Sequence, residues 1–366
     1  MELKQGIIEN IGTLTFFLML LFSFFLLTIK TRNKLPNRLF GLFLLLIAFD
    51  ISAFFLGSYY EEKIPLNSLK IAISLLQMPL FYFYVLSICY SDFKIQKKQL
   101  PHGLLFIVFW CSLWLYHDST NLLLIYGICA EIQWFFYIIL IFKVLNNHTK
   151  VYRENYSRPL PKIQRWLKRL AVIMVIAHSF ITARWISLFF NIESNMRYSD
   201  FIISVNSLII TAWVLLSALY EPQLFSGIKS YQKPLKSLKL ENIRSNQTKT
   251  HYSQIANNLK SFMELEKPHL DFELTLEKLA KLTKVSEKEL SLTINHHLNQ
   301  HFFDFINQYR INEAKSILSN PKMEKKTILE ILYAVGFNSK SSFYSAFKKV
   351  TGQTPLDYRR GQLRQK

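Results

Sequence analysis

Residues 327–350 read TILEILYAVGFNSKSSFYSAFKKV. Thr327-Ile328-Leu329-Glu330 opens this stretch as a capping box, in which a hydroxyl and a carboxylate three positions apart satisfy free N–H groups at a helix start. Ile328, Ile331, Leu332 and Val335 then recur at helical spacing on one face. Gly336 supplies the turn, because a positive φ costs glycine nothing. From Ser339 to Val350 a second helix carries Phe343, Ala346, Phe347 and Val350 inward. Two short helices around a tight turn are the helix-turn-helix plan. Thr354-Pro355-Leu356-Asp357 starts a further helix with Pro at its first position, followed by Arg359-Arg360.

The same plan stands upstream. Thr275 starts a helix with Leu276, Leu279 and Ala280 on its apolar face, and Lys284-Val285 makes the turn. Ser286-Glu287-Lys288-Glu289 is a second capping box, and Leu290, Ile294 and Leu298 form the next stripe. Between the two units, residues 302–319 read as one helix with Phe302, Phe305, Ile306, Tyr309 and Ile317 mostly on one side. Such a rod is roughly 27 Å long, enough to hold two recognition helices about one DNA turn apart.

Residues from about 274 to 360 resemble the DNA-binding domain of the AraC/XylS family of bacterial regulators. The resemblance is carried by Arg310-Ile311-x-x-Ala314-Lys315-x-x-Leu318 and by Val335-Gly336-Phe337-x-Ser339-x-Ser341-x-Phe343-x-x-x-Phe347-Lys348-Lys349-x-x-Gly352-x-Thr354-Pro355. It implies two helix-turn-helix subdomains (about 275–298 and 327–350), binding of double-stranded DNA at asymmetric promoter sites, and frequent homodimerisation. Lys288 and Ser291 match groove-facing positions of the first recognition helix. Lys340, Ser341 and Ser345 match those of the second, with Tyr344 beside them. Lys348, Lys349 and Arg360 are expected on phosphates, which position the protein without reading sequence. Two residues depart from the family pattern. Leu332 stands where a small residue is usual, and Leu292 where Arg or another polar residue is frequent.

Outward from this domain the composition changes. Half of the 366 residues are hydrophobic and the formal net charge is +19. Seven apolar runs, near 8–29, 39–57, 69–90, 101–117, 122–145, 168–190 and 200–220, approach the roughly 20 residues that cross about 30 Å of hydrocarbon. The first run has no basic n-region, so it reads as a span and not as a cleaved signal. The reading is therefore an all-α chain, with a seven-helix transmembrane bundle followed by a cytoplasmic double helix-turn-helix domain. Its layout resembles membrane-bound members of the family.

Loop charges orient the bundle. Lys30, Arg32, Lys34 and Arg38 follow run one, Lys94, Lys97 and Lys98 run three, and Lys150, Arg153, Arg158, Lys162 and Arg165 run five. Lys229, Lys233, Lys236 and Lys239 follow run seven. The alternate loops carry Glu61, Glu62 and Lys63, then Asp118, then Glu193 and Arg197. Basic loops mark the cytoplasmic side, so the N-terminus of 1–220 lies outside and its C-terminus inside an inner, multi-pass membrane. Residues 221–250 read as a basic linker, either tethering freely or resting on anionic headgroups, and 251–366 as the DNA-binding domain.

Asp50, Glu131, His178 and Arg184 fall within the runs, where ionisable groups usually face a bundle interior. They are the candidates for an intramembrane signal site; a structural ion pair is the plainer reading. Cys89, Cys111 and Cys129 lie in apolar runs as small hydrophobes. His296, His297 and His301 read as solvated, so no metal site is expected. No phosphate-cradling Gly-rich loop and no nucleophile motif is present, and neither a cofactor nor a catalytic group is expected. The leading expectation is a regulator that couples a signal ligand or membrane partner to promoter binding. A transporter or a membrane enzyme with a DNA-binding tail is the alternative.

Overall fold

A computed structural model of the chain describes residues 2–31, 34–90, 92–117, 119–190, 196–225 and 246–364. Of the loop charges that orient the bundle, Arg32, Asp118, Glu193, Lys229, Lys233, Lys236 and Lys239 lie outside the described residues, as does most of the 221–250 linker. The chain divides into two units, Met1–Asn146 with Lys162–Pro234, and Asn147–Pro161 with Leu235–Lys366. Among the described residues regular structure is helical, apart from one isolated bridge between Tyr156 and Thr275.

The first unit comprises α1 (Glu2–Thr28), α2 (Lys34–Ile51), α3 (Ala53–Glu62), α4 (Ile64–Ile73), α5 (Gln77–Cys89), α6 (Leu104–Leu115), α7 (Thr120–Asn155), α8 (Lys162–Phe189) and α9 (Met196–Tyr220). The last turns of α7 belong to the second unit. Its core is aromatic: Phe40 stacks on Tyr84 at 4.7 Å, and Phe225 meets Phe40 and Trp166 at 5.9 and 5.6 Å. Small residues let α1 and α2 close up, and Ser23 Oγ donates to the Gly41 carbonyl at 2.7 Å. Large apolar side chains nevertheless cover the outside, among them Leu21, Phe24, Ile132 and Ile139. Such a surface is unfavourable in water and natural in hydrocarbon.

Seven spans are not what the helices provide. Five are long and apolar enough to cross a membrane, and six if the bent pair α2–α3 counts as one. The run read at 101–117 yields only the 12 residues of α6. At 1.5 Å per residue that is about 18 Å, well short of a hydrocarbon core. The cause is local: Pro101 lies in a 3₁₀ segment, Lys97–Gly103, which takes up the start of the run. The run read at 39–57 is also broken, with a 69° bend between α2 and α3. Ser52 sits at the break; its hydroxyl bonds back to the Phe49 carbonyl and meets the Tyr60 hydroxyl at 2.6 Å. Back-bonding of this kind bends helices.

The second unit contains α10 (Asn246–Leu265), α11 (Leu276–Thr283), α12 (Glu287–Leu292), α13 (Phe302–Leu318), α14 (Ile328–Ala334), α15 (Lys340–Thr351) and α16 (Pro355–Arg364). A π turn, Thr293–His297, prolongs α12. Two cores form. One gathers Leu259, Met263, Leu279, Leu290 and Ile294 around Phe302, Phe305 and Ile306; the other gathers Leu332, Val335, Phe343 and Phe347 around Ile311, Ala314 and Leu318. The N-terminal half of α13 thus serves one subdomain and its C-terminal half the other. Leu332, the departure from the family pattern, is fully buried in the second core.

Candidate nucleic-acid interface

Three helix starts here are fixed by their own side chains, those of α11, α12 and α14. Thr275 Oγ1 accepts from the Lys278 amide at 3.1 Å and Ser286 Oγ from the Glu289 amide at 3.2 Å. Thr327 and Glu330 form the full reciprocal box, at 3.1 and 2.7 Å. The hydrogen bonds from Thr327 hold the Glu330 carboxyl below its ordinary range. The two turns differ. Lys284 adopts φ 56° in the first, whereas Gly336 adopts φ 85° in the second. A Cβ on Gly336 would also stand 2.6 Å from the His269 carbonyl oxygen, so both conformation and space require glycine.

On α15 the buried side chains Phe343 and Phe347 anchor one face. Lys340, Ser341, Ser345, Lys348 and Lys349 are exposed, and Tyr344 is half-buried beside them. Lys340 Nζ lies 5.6 Å from the centroid of the Tyr344 ring, a cation–π contact that restrains a flexible side chain. Ser339 Oγ and Ser341 Oγ are 3.1 Å apart. Short polar groups and a restrained cation at a helix start suit base edges and phosphates. Lys349 is engaged with Asp304 of α13 at 2.7 Å. Arg360 is exposed on α16, while Arg359 turns back to donate to the Lys326 carbonyl at 2.8 Å.

The first recognition helix presents less. Lys288 is exposed, but Ser291 is 8% exposed and accepts from the Asn295 side-chain amide at 3.0 Å. Leu292 is turned inward as well. The π turn that follows places His296 and His297 on the outside. No group of three or more His, Cys, Asp or Glu among the described residues is placed to hold a metal ion.

Arg310 lies at the centre of the unit, 1% exposed. Its Nε donates to the His269 carbonyl at 2.7 Å and its Nη2 to the Asp271 carbonyl at 2.7 Å. Nη1 donates to the Ser157 carbonyl and Nη2 to Ser157 Oγ, both at 3.1 Å. Its guanidinium carbon is 5.6 Å from the Phe337 ring of the second turn. Burial brings the Arg310 pKa down to about 10, with Asp271 opposing. Burial likewise brings His269 down to about 4. Ser157 comes from the segment that follows α7, and its Oγ also donates to the Leu274 carbonyl at 2.7 Å. Arg310 is legible in the sequence as part of a motif. Ser157, 153 positions away, has no local signal that could have found it.

The intramembrane candidates are each partnered. Glu131 Oε2 accepts from Thr182 Oγ1 at 2.9 Å and meets His178 Nε2 at 3.1 Å, with Trp134 stacked on the imidazole at 3.8 Å. Arg184 pairs with Asp200 at 2.6 Å, and Asp50 with Lys70 at 3.7 Å. Glu131 and His178 are therefore brought together, while Asp50 and Arg184 have other partners.

Residues 279–361 match the family described as Helix-turn-helix domain. The chain is similar to the HTH-type transcriptional regulator YdeC of Bacillus subtilis (strain 168), 33% identical over 94 residues that cover 25% of this chain and 31% of that protein. It is also similar to the HTH-type transcriptional regulator GlxA of Rhizobium meliloti (strain 1021), 34% identical over 98 residues that cover 26% and 29%. The chain thus spans less than a third of the length of these relatives. No solved structure matches it. The C-terminal region is a helix-turn-helix domain, and the part outside it has no counterpart in these matches.

Proposed function

We propose that the protein is a membrane-bound, sequence-specific DNA-binding transcription regulator. It is carried by α15, whose exposed Lys340, Ser341 and Ser345 stand on a rigid Phe343–Phe347 base within a matched helix-turn-helix domain. Lys340, Ser341, Tyr344 and Ser345 read base edges in the major groove, with Lys288 contributing from α12, where Ser291 is buried against Asn295. Lys348, Lys349 and Arg360 contact phosphates. The apolar exterior of α1 and α7 supports placement in a cytoplasmic membrane, with the DNA-binding unit on the cytoplasmic side.

Coupling runs along α7. This helix has 36 residues, about 54 Å at 1.5 Å each, and so exceeds a hydrocarbon core of about 30 Å. Directly after it comes Ser157, bonded to Arg310. A stimulus that shifts α7 acts on Arg310 and, through Phe337, on the second recognition turn. Such a stimulus, a ligand or membrane partner, must favour one of the two states to have any effect. The Glu131–His178–Thr182 cluster is the proposed place of action, the Asp50–Lys70 and Arg184–Asp200 pairs being separate candidates, and homodimers are the proposed binding form. Reporter output from a matched promoter tests this: Glu131→Gln with normal membrane insertion shifts output, and unchanged output removes these residues from signalling.

A further inference from the structure

The first unit contains a cavity of about 350 Å³ between the start of α8 and the end of α9, lined by Lys162, Arg165, Trp166, Arg169, Trp213 and Tyr220 among others. Positions 162, 165 and 169 fall on one helical face, so three cations line one wall. Lys162 is engaged with Glu221 at 3.3 Å, but no ion pair among the described residues involves Arg165 or Arg169, which are both exposed. The floor is rigid and aromatic: Trp166 and Trp213 stack at 5.9 Å with 7° between their planes. Trp166, 6% exposed, carries an indole N–H with no hydrogen-bond partner.

What leaves this cavity along the helices is apolar. From Arg165 and Arg169 the same stripe of α8 continues through Val172 and Ile176, 49% and 55% exposed. On α9, Tyr220 is followed back along its stripe by the exposed Leu216 and Ile209. A cluster of guanidinium groups that runs into exposed hydrocarbon-facing side chains matches a molecule with a phosphate at one end and alkyl chains at the other. A free phosphate would make no use of the apolar stripes. The volume lies within the range of small-ligand sites. Basic pockets at the cytoplasmic ends of spanning helices bind anionic headgroups.

We propose that this cavity is a binding site for the headgroup of an anionic phospholipid, with Arg165 and Arg169 on the phosphodiester, Tyr220 at the headgroup level and Val172, Ile176, Ile209 and Leu216 along the acyl chains. The inference rests on the membrane-bound reading. Bound lipid would tie the start of α8 to the end of α9.

The test uses the full chain in phosphatidylcholine nanodiscs doped with a minority of phosphatidylglycerol, followed by release into detergent and native mass spectrometry of retained lipid. Retention of phosphatidylglycerol over phosphatidylcholine is expected. Arg165→Gln/Arg169→Gln should reduce it about tenfold or more, and Arg165→Lys/Arg169→Lys should restore most of it. Added inorganic phosphate should leave the lipid in place. Equal retention of the two lipids by the wild type overturns the proposal without recourse to a variant. So does displacement by inorganic phosphate, which would mark a soluble-anion site, and so does undiminished retention by a folded Gln variant. Alkaline carbonate extraction of the membranes separates the two levels. A protein that washes off removes the membrane reading and this site together, whereas an integral protein without lipid preference removes the site alone.

Discussion

Arg310 and Ser157 are joined twice, through the serine carbonyl and through its hydroxyl, each at 3.1 Å, although 153 positions separate them. Every acceptor of the Arg310 guanidinium is neutral: three backbone carbonyls, one hydroxyl and the Asn307 side-chain oxygen. A buried cation whose hydrogen bonds all run to neutral groups depends on each of them, because losing one leaves charge poorly solvated. Arg310→Met should cost about 3 kcal/mol through the stranded carbonyls, and Ser157→Ala about 1 kcal/mol. Hydrogen exchange of the α13 and α14 amides in the full chain reads both. Equal protection in wild type and Ser157→Ala would show that the segment after α7 is not held at this point.

Gly336 is constrained twice, by φ 85° and by the His269 carbonyl. Gly336→Ala should destabilise the second subdomain by about 2–3 kcal/mol and weaken DNA binding with it. Lys284→Gly, at the corresponding turn of the first subdomain, should be neutral or mildly stabilising, since its φ of 56° favours glycine. Exchange protection of both subdomains, compared between the two variants, checks the contrast.

His269 supplies a pH dependence. Its folded pKa lies at about 4, below an unfolded value near 6.5, because burial disfavours the imidazolium. Between these values the unfolded chain binds the extra proton, so stability is fully present above about pH 6.5 and falls as the pH drops toward 4. The loss amounts to about 3 kcal/mol. His269→Gln should flatten the profile, which exchange protection of α13 measured at a series of pH values would reveal. An unchanged slope in that variant would assign the dependence elsewhere.

The basic residues of α15 should separate into two kinds. Lys340→Ala should cost about 1–3 kcal/mol and relax preference at one position of the site. Lys348→Ala should weaken all sequences alike and lower the slope of log affinity against log salt by about one. Lys349→Ala should do less, because Lys349 already engages Asp304 at 2.7 Å. Salt titrations with matched and mismatched duplexes distinguish the three.

The helix-turn-helix elements were readable because their signals are local. A threonine and a glutamate three apart start α14, and the glycine that ends it sits next in the same stretch. The length of α13 followed from its apolar stripe. The number of spans is less legible, since a hydropathy run measures apolar length and not straightness. Pro101 shortened one run and Ser52 bent another. The burial of Ser291, next to Leu290 and bonded to Asn295, depends on how α12 packs in the first core and has no local sequence signal. Pairings such as Arg310–Ser157 and Glu131–His178 depend on tertiary placement and leave no trace in residue spacing.

The proposed function requires sequence-specific DNA binding. It is tested most directly by selecting sites from random duplex DNA with the full chain in nanodiscs, and then measuring affinity for the enriched site over a range of salt. The expected result is a site with two reading elements about one helical turn apart, bound with a steep salt dependence and more weakly by Lys340→Ala. Salt-dependent binding with no enriched sequence, unaffected by Lys340→Ala, would contradict it and leave the domain as a nonspecific basic tail.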